Sequence, residues 1–209
     1  MKIGMIQASS QKNKNRIIEE CLGKAVHKEH QIINFGVFED SDYELSYVQI
    51  ALCISLLLES KAIDFAVTGC SSGQGMMLAC NSLPGVVCGY VENVTDAYLF
   101  GRISDGNAVS YPFGFNWGWA AEINLRETLE ALFSEPFGTG YPSEEAQRKK
   151  RDAERLKRMN SVCKKSLVEV LPLLDRDILE PALHYEVVYK YIMEYGTNEE
   201  LKAAMKKLR

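Results

Sequence analysis

The residues best suited to chemistry lie in one short stretch, Thr68 to Asn81, which follows an apolar run of strand length. Its small residues allow a sharp turn, and the N–H groups that open the next helix form a ready site for negative charge. Cys70 stands at the strand tip, where such donors would favour the reactive thiolate over the thiol. Ser72 adds a hydroxyl that can donate a proton to a reacting oxygen or accept one from it. This pattern indicates acid–base or nucleophilic chemistry.

The residue types alone leave other interpretations of Cys70 open. A cysteine in a strand-to-helix turn is more often a small buried side chain than a catalyst. A cysteine phosphatase loop would place an arginine six residues later, where this chain has Met76. A dinucleotide-binding fingerprint would belong in the first such turn, which here reads Gln7-Ala8-Ser9-Ser10. A thiol-dependent hydrolase or transferase would need a base beside Cys70, and none of the three histidines lies near these loops.

Apolar runs of strand length alternate with amphipathic stretches of helix length along the first two thirds of the chain. The strands are predicted at Lys2–Ile6, Gln31–Phe35, Ile63–Thr68, Val86–Val91 and Asn107–Tyr111. The helices are predicted at about 14–28, 43–60, 74–81, 95–104 and 116–133. Five such units predict a doubly wound, Rossmann-like α/β fold with a five-stranded parallel sheet. Ligands of such sheets bind at the carboxyl ends of the strands, which directs attention to the loops there.

The composition changes after about residue 140, where strand-like runs stop and charged or helical stretches begin. At 209 residues, the chain has room for one ordinary domain and a shorter remainder. We therefore predict an α/β domain over residues 1–140 and a small helical extension over 141–209.

Composition excludes several classes of protein. Apolar residues make up 46% and the net charge is −4, so there is no basic field for nucleic acid. No apolar stretch approaches the 18 or so residues of a membrane span, and no signal peptide is evident, so we expect a cytoplasmic protein. The cysteine spacings match neither a metal site nor a secreted framework, and we expect reduced thiols. The cysteines are Cys21, Cys53, Cys70, Cys80, Cys88 and Cys163.

Several motifs occur together in a characteristic order. They are Lys2-Ile3-Gly4, Asp42-Tyr43, Cys70-Ser71-Ser72-Gly73-Gln74-Gly75-Met76, Asn81, Pro84-Gly85 and Asp105-Gly106-Asn107. In this order the chain resembles the type B ribose-5-phosphate isomerase and galactose-6-phosphate isomerase family over about its first 135 residues. Each piece alone is a weak signal, whereas their combination and spacing are specific.

The resemblance implies aldose–ketose isomerisation of a sugar or sugar phosphate through a cis-enediolate, with no metal or organic cofactor. It implies that Cys70 is the base that moves the carbon-bound proton, and that the Ser72 hydroxyl serves proton transfer between the two oxygens. The N–H groups of Ser71 and of Gly73, Gln74 and Gly75 would hold the enediolate, and losing one such donor typically costs about 2.7 to 4 kcal/mol. It further implies sugar contacts from Tyr43, Asn81 and Asn107.

The chain departs from the family at three histidine positions. The Asp-His pair after the first strand falls on Ala8-Ser9, which leaves Ser9 as the candidate contact. The ring-opening His falls on Glu92, and another His falls on Ile103. Glu92 is either a replacement ring-opening base or a solvated loop carboxylate.

Phosphate binding is the second departure. Where the family carries arginines that reach a neighbouring subunit's site, this chain has an insertion and then Arg148 to Arg151. Arg148 and Arg151 could bind a phosphate bidentately, or could simply belong to a solvated helix face. Lys12 and Lys14 could compensate for the missing histidine. Trp117 and Trp119 could stack on sugar, contact a second subunit or pack in the core.

Taken together with the resemblance, these features predict a sugar or sugar-phosphate isomerase. The resemblance further implies a homodimer or higher oligomer with shared active sites. They leave one alternative of another class, a sugar-binding protein on the same fold that has lost catalysis.

Overall fold

The computed structural model describes residues 1–115 and 117–209. Five parallel strands form one sheet in the order β2-β1-β3-β5-β4. Their bounds are β1 Lys2–Met5, β2 Gln31–Asn34, β3 Phe65–Cys70, β4 Cys88–Tyr90 and β5 Ala108–Pro112. The chain order reverses beside β1 and β3, and this switch directs the loops after these strands toward a common cleft.

Five helices alternate with the strands and cover both faces of the sheet. They are α1 Asn15–Ala25, α2 Tyr47–Glu59, α3 Gln74–Ser82, α4 Val94–Leu99 and α5 Ala121–Phe133. Helices α2 and α3 pack in the core on one face, while α1, α4 and α5 pack on the other. This architecture confirms the predicted doubly wound fold.

Helix boundaries differ from the predictions at their amino ends. Helix α2 begins at Tyr47 rather than near residue 43, because Ser46 and Gln49 form a capping box there. Helix α1 is preceded by a 3-10 segment over Ser9–Lys14, and α4 continues into a π-helical turn over Phe100–Ser104. The predicted helix at 116–133 begins at Ala121; its first residue, Asn116, lies outside the described residues.

The carboxyl-terminal part of the chain is helical, with α6 Ala146–Cys163, α7 Leu167–Val170, α8 Arg176–His184, α9 Glu186–Tyr195 and α10 Glu199–Leu208. Helices α7 to α10 bury side chains in the same core as α2, including Leu171, Leu183 and Ile192. Helix α6 follows the amino edge of the sheet, where Asn160 and Lys164 donate to main-chain carbonyls. The predicted boundary at residue 140 falls in the loop between α5 and α6 and stays a prediction.

All six cysteines are free thiols in this structure. No described helix combines the length and the hydropathy that a bilayer crossing requires.

Candidate active site

Cys70 ends β3, a central strand whose six residues are all buried. The strand lies between β1 and β5, and Cys70 is in register with Pro112 of β5. The Cys70 carbonyl accepts a hydrogen bond of 3.0 Å from Phe113 N–H, and Cys70 is 8% exposed. The thiol therefore lies at the carboxyl edge of the sheet, at the end of a strand that has a neighbouring strand on each side.

The turn after Cys70 depends on Gly73, which has φ of +71°. A Cβ there would lie 2.9 Å from both Pro112 N and the Tyr90 ring, so a larger residue would have both an unfavourable φ and a steric clash. The Gly73 carbonyl accepts a hydrogen bond of 2.6 Å from the buried Ser110 hydroxyl. Helix α3 starts at the next residue, and its first N–H groups have no partners within the helix. The glycine turn and the helix start therefore lie where the sequence predicted them, and the role of their N–H groups stays a prediction.

A cleft of about 620 Å³ opens beside this turn. The loops after β1, β2 and β3 supply its walls. Its lining residues are Ala8, Ser9, Ser10, Glu44, Leu45, Ser46, Tyr47, Gln49, Cys70, Ser71, Ser72 and Gly75. Of the sequence-predicted site residues, the cleft brings together Ser9, Cys70, Ser71, Ser72 and Gly75. Gly73 and Gln74 complete the turn beside it.

The hydroxyl of Ser9 is engaged with the opposite wall. It accepts a hydrogen bond of 2.7 Å from Leu45 N–H, and the Ser9 N–H donates to the Leu45 carbonyl at 3.0 Å. Ser9 is buried, whereas the neighbouring Ser10 is exposed. Ser9 therefore joins two walls of the cleft, and Ser10 presents the more accessible hydroxyl.

A partly buried series of hydrogen bonds behind Ser71 was not predicted from the sequence. The Gln11 amide donates to Ser71 Oγ at 2.7 Å, and Lys14 Nζ donates to Gln11 Oε1 at 2.7 Å. Lys14 also donates to the Phe113 carbonyl and lies 4.7 Å from the centre of the Trp117 ring. Partial burial lowers the pKa of the Lys14 ammonium. These hydrogen bonds connect the loops after β1, β3 and β5 next to Cys70.

Two tyrosines near the second strand differ in position. The Tyr43 side chain does not line the cleft; its hydroxyl donates to the His184 carbonyl at 3.3 Å. Tyr47 does line the cleft, and its ring faces Gly75. The Ser46-x-x-Gln49 capping pattern could have indicated that Tyr47 starts a helix at this edge.

Asn81 and Asn107 lie at the amino edge of the sheet, away from Cys70. Asn81 comes at the end of α3, which runs back from the site, and its side chain pairs with the N–H and carbonyl of Cys88. Asn107 precedes β5, accepts from Val87 N–H at 2.8 Å and donates to the Gly85 carbonyl at 2.7 Å. In this chain both asparagines brace the backbone that leads into β4.

Glu92 follows β4 at the carboxyl edge, but β5 separates β4 from β3. Glu92 lines a different pocket, of about 280 Å³, together with Tyr111 and the side of α5. The Tyr90 hydroxyl donates to Glu92 Oε2 at 3.1 Å. Burial, together with this carboxylate, raises the pKa of Tyr90 to about 12. The structure does not bring Glu92 into the Cys70 cleft.

Arg148 and Arg151 are exposed on α6 and do not line the cleft of their own chain. Arg148 forms ion pairs with Glu145 and, at 3.3 Å, with Asp152. Of the described residues that line the cleft, Glu44 alone carries a charge, and Lys12 pairs with it at 2.6 Å. The cleft of a single chain therefore offers hydroxyls and main-chain donors rather than a cluster of cations.

The two tryptophans also differ. Trp117 packs edge-on against Phe113, with ring centres 6.0 Å apart. Trp119 is wholly exposed. No group of three or more His, Cys, Asp or Glu side chains among the described residues is arranged to hold a metal ion.

Comparison with known proteins connects this geometry to a family. A family model described as ribose/galactose isomerase matches residues 3–152. A crystal structure of 4-deoxy-L-threo-5-hexosulose-uronate ketol-isomerase complexed with a tartrate is 39% identical, with a TM-score of 0.94 over 100% of this chain and 99% of that one. No curated protein matches the chain.

Two further structures show how far the similarity extends. A ribose-5-phosphate isomerase from Vibrio parahaemolyticus is 35% identical, with a TM-score of 0.94 over 100% of this chain and 99% of that one. The type B ribose 5-phosphate isomerase of Trypanosoma cruzi is 17% identical, with a TM-score of 0.65 over 78% of this chain and 98% of that one. The last similarity concerns the fold alone, and it leaves about a fifth of this chain unmatched.

Proposed function

The chain belongs to the ribose/galactose isomerase family, as its motifs predicted, and is a sugar isomerase. From this premise we propose that it interconverts an aldose and a ketose through a cis-enediolate, with Cys70 as the base. The observation that carries the proposal is the position of Cys70, at the head of the Gly73 turn and in a cleft large enough for a sugar.

The proposed reaction is a pair of proton transfers on an open-chain sugar. The Cys70 thiolate removes the proton on C2 of the aldose, and the electron pair that is released forms the C1–C2 double bond and leaves the negative charge of the enediolate on O1. The Cys70 thiol then delivers this proton to C1 while the proton of the C2 hydroxyl moves to O1, which leaves a hydroxyl on C1 and the ketone on C2. Ser72 is within the cleft and is suited to carry the proton between the two oxygens. The N–H groups of the turn stabilise the enediolate charge, which is greatest between the two transfers.

Two substrate classes follow from the relatives, a pentose phosphate and a keto-uronate. The hydroxyl-rich cleft suits the polyol part of either. In a phosphate substrate, the anionic group would need cations from outside this cleft. Arg148 and Arg151 of a second copy could supply them, in a homodimer with shared active sites. A keto-uronate would instead place its carboxylate against neutral donors.

Cys70→Ala tests the base, and Cys163→Ala is the matched control because Cys163 is an exposed thiol on α6. Ribose 5-phosphate, galactose 6-phosphate and 4-deoxy-L-threo-5-hexosulose uronate are incubated in deuterated water, and exchange at C2 is followed by NMR. We expect Cys70→Ala to lower turnover of the best substrate by about 100- to 10,000-fold, with Cys163→Ala unchanged. Full turnover by Cys70→Ala would overturn the proposal. Sugar binding without turnover in the wild type would favour a non-catalytic sugar-binding protein.

A further inference from the structure

Helices α8 and α9 lie directly behind one wall of the cleft. This wall is the segment 35–49, of which residues 44–47 and 49 line the cleft. The buried side chain of Tyr185, between the two helices, donates its hydroxyl to the Phe35 carbonyl, 150 residues away in sequence. Burial raises the pKa of the Tyr185 hydroxyl, so it stays a hydrogen-bond donor. Its anchor point lies where β2 ends and the wall begins.

A second contact joins the middle of the wall to the same corner. The Tyr43 ring meets the Tyr185 ring edge-on, with centres 5.1 Å apart, and the Tyr43 hydroxyl donates to the His184 carbonyl. Tyr43 immediately precedes Glu44, the first wall residue that lines the cleft. The corner between α8 and α9 therefore contacts the wall just before the residues that line the cleft.

A third contact fixes a side chain of the cleft itself. Gln49 Nε2 donates to the Asp177 carbonyl in α8 at 2.7 Å, and Gln49 Oε1 accepts from Ser46 N–H at 2.7 Å. Both ends of the Gln49 amide are thus occupied, one by the helix cap of α2 and one by α8. Its orientation in the cleft depends on α8.

The helices that make these contacts lie beyond the part of the chain that the family model matches, which ends at residue 152. We propose that the α8–α9 corner, residues 177–185, is a substrate-positioning element that holds the wall 35–49 at its distance from Cys70. The corner contacts the wall and does not line the cleft at Cys70, so it acts through the wall. The inference rests on the proposed function, because the substrate it positions is the one that Cys70 would isomerise.

Tyr185→Phe tests this inference, since it removes one hydroxyl from the contact with Phe35. Tyr195→Phe is the control, because it makes the same change at an exposed tyrosine of α9. We expect Tyr185→Phe to raise KM for the best substrate about fivefold or more, with kcat changed less than twofold. Hydrogen exchange should be faster over residues 36–46 and unchanged over 70–76. Tyr195→Phe should leave all these quantities unchanged.

A reagent that needs no substrate gives a second measurement. Iodoacetamide should alkylate Cys70 faster in Tyr185→Phe than in the wild type or in Tyr195→Phe, because a loosened wall opens the cleft. Tyr43→Phe breaks the neighbouring contact with His184 and should shift KM and alkylation in the same direction, even if Tyr185→Phe folds poorly.

An unchanged KM and an unchanged alkylation rate in both variants would overturn the inference, as would a loss confined to kcat. If the wild type turns over no substrate, the proposed function fails and alkylation of Cys70 still decides the wall's dependence on α8 and α9. If Cys70→Ala abolishes turnover and Tyr185→Phe behaves like Tyr195→Phe, only the inference fails.

Discussion

The Gln11 side-chain amide donates a 2.7 Å hydrogen bond to the hydroxyl of Ser71, the residue that follows Cys70. Lys14 binds the other end of this amide, so the amide N–H₂ is directed at Ser71. Because the Ser71 oxygen accepts this bond, its own proton is left to donate elsewhere; Ser10 Oγ lies 3.5 Å away. The ability of the Ser71 hydroxyl to donate a hydrogen bond in the cleft thus depends on Gln11, which is buried behind it.

Replacing Gln11 with Leu should lower kcat about fivefold, because the one hydrogen bond that orients the Ser71 hydroxyl is worth roughly 1 kcal/mol. If Gln11 acts through Ser71, the double variant Gln11→Leu with Ser71→Ala should be no slower than Ser71→Ala alone. Steady-state kinetics of the four proteins measures this coupling. Fully additive losses would contradict the arrangement described.

Gly73→Ala should destabilise the fold by about 1 to 3 kcal/mol and reduce turnover, because the residue has positive φ and its Cβ would meet Pro112 and Tyr90. Gly23→Ala is the control, since a Cβ there meets nothing within 4 Å and Gly23 lies inside α1. That control should gain about 0.5 to 1 kcal/mol. Urea unfolding of both variants provides the comparison, and equal stabilities would show that the turn tolerates a side chain.

Asn81→Ala should cost about 1 to 3 kcal/mol of unfolding free energy, because it leaves the N–H and carbonyl of Cys88 without their side-chain partner. Turnover measured well below the melting temperature should stay within about twofold of wild type. A large loss of activity at unchanged stability would instead support the sugar contact that the family resemblance implies for Asn81.

Tyr90 should make the protein sensitive to alkaline pH. Burial and the Glu92 carboxylate raise the pKa of Tyr90 to about 12 in the folded protein, against about 10 in an unfolded chain. Between these values the folded state binds more protons than the unfolded state, so stability falls as pH rises from about 10 to 12. Thermal melting across this range should show a shallower fall for Tyr90→Phe. An identical slope would mean that Tyr90 ionises normally in the folded protein.

The sequence was sufficient for the features that depend on neighbours along the chain. Strand-length apolar runs between amphipathic stretches predicted the parallel sheet, because side-chain periodicity is a local property of the backbone. The Gly-rich turn after Cys70 was predicted for the same reason, since small residues and a following helix start lie within a few positions. The family resemblance added the chemistry expected there.

The position of a residue within a sequence motif did not determine the direction of its side chain or the groups that the side chain contacts. Asn81 follows the turn by a few residues, but helix α3 carries it to the opposite edge of the sheet. Tyr43 and Tyr47 are one helical turn apart in number, and the cap at Ser46 decides which of them faces the cleft.

By itself, the sequence determined the order of strands and helices, the turn that carries Cys70 and the membership of an isomerase family. Only the tertiary structure decided that Gln11 supports Ser71 from 60 residues away, and that Tyr185 anchors a wall 150 residues before it. Such contacts form when the sheet and helices pack, because a polar group that is buried must find its hydrogen-bond partner within the protein. No local pattern of residues specifies that choice.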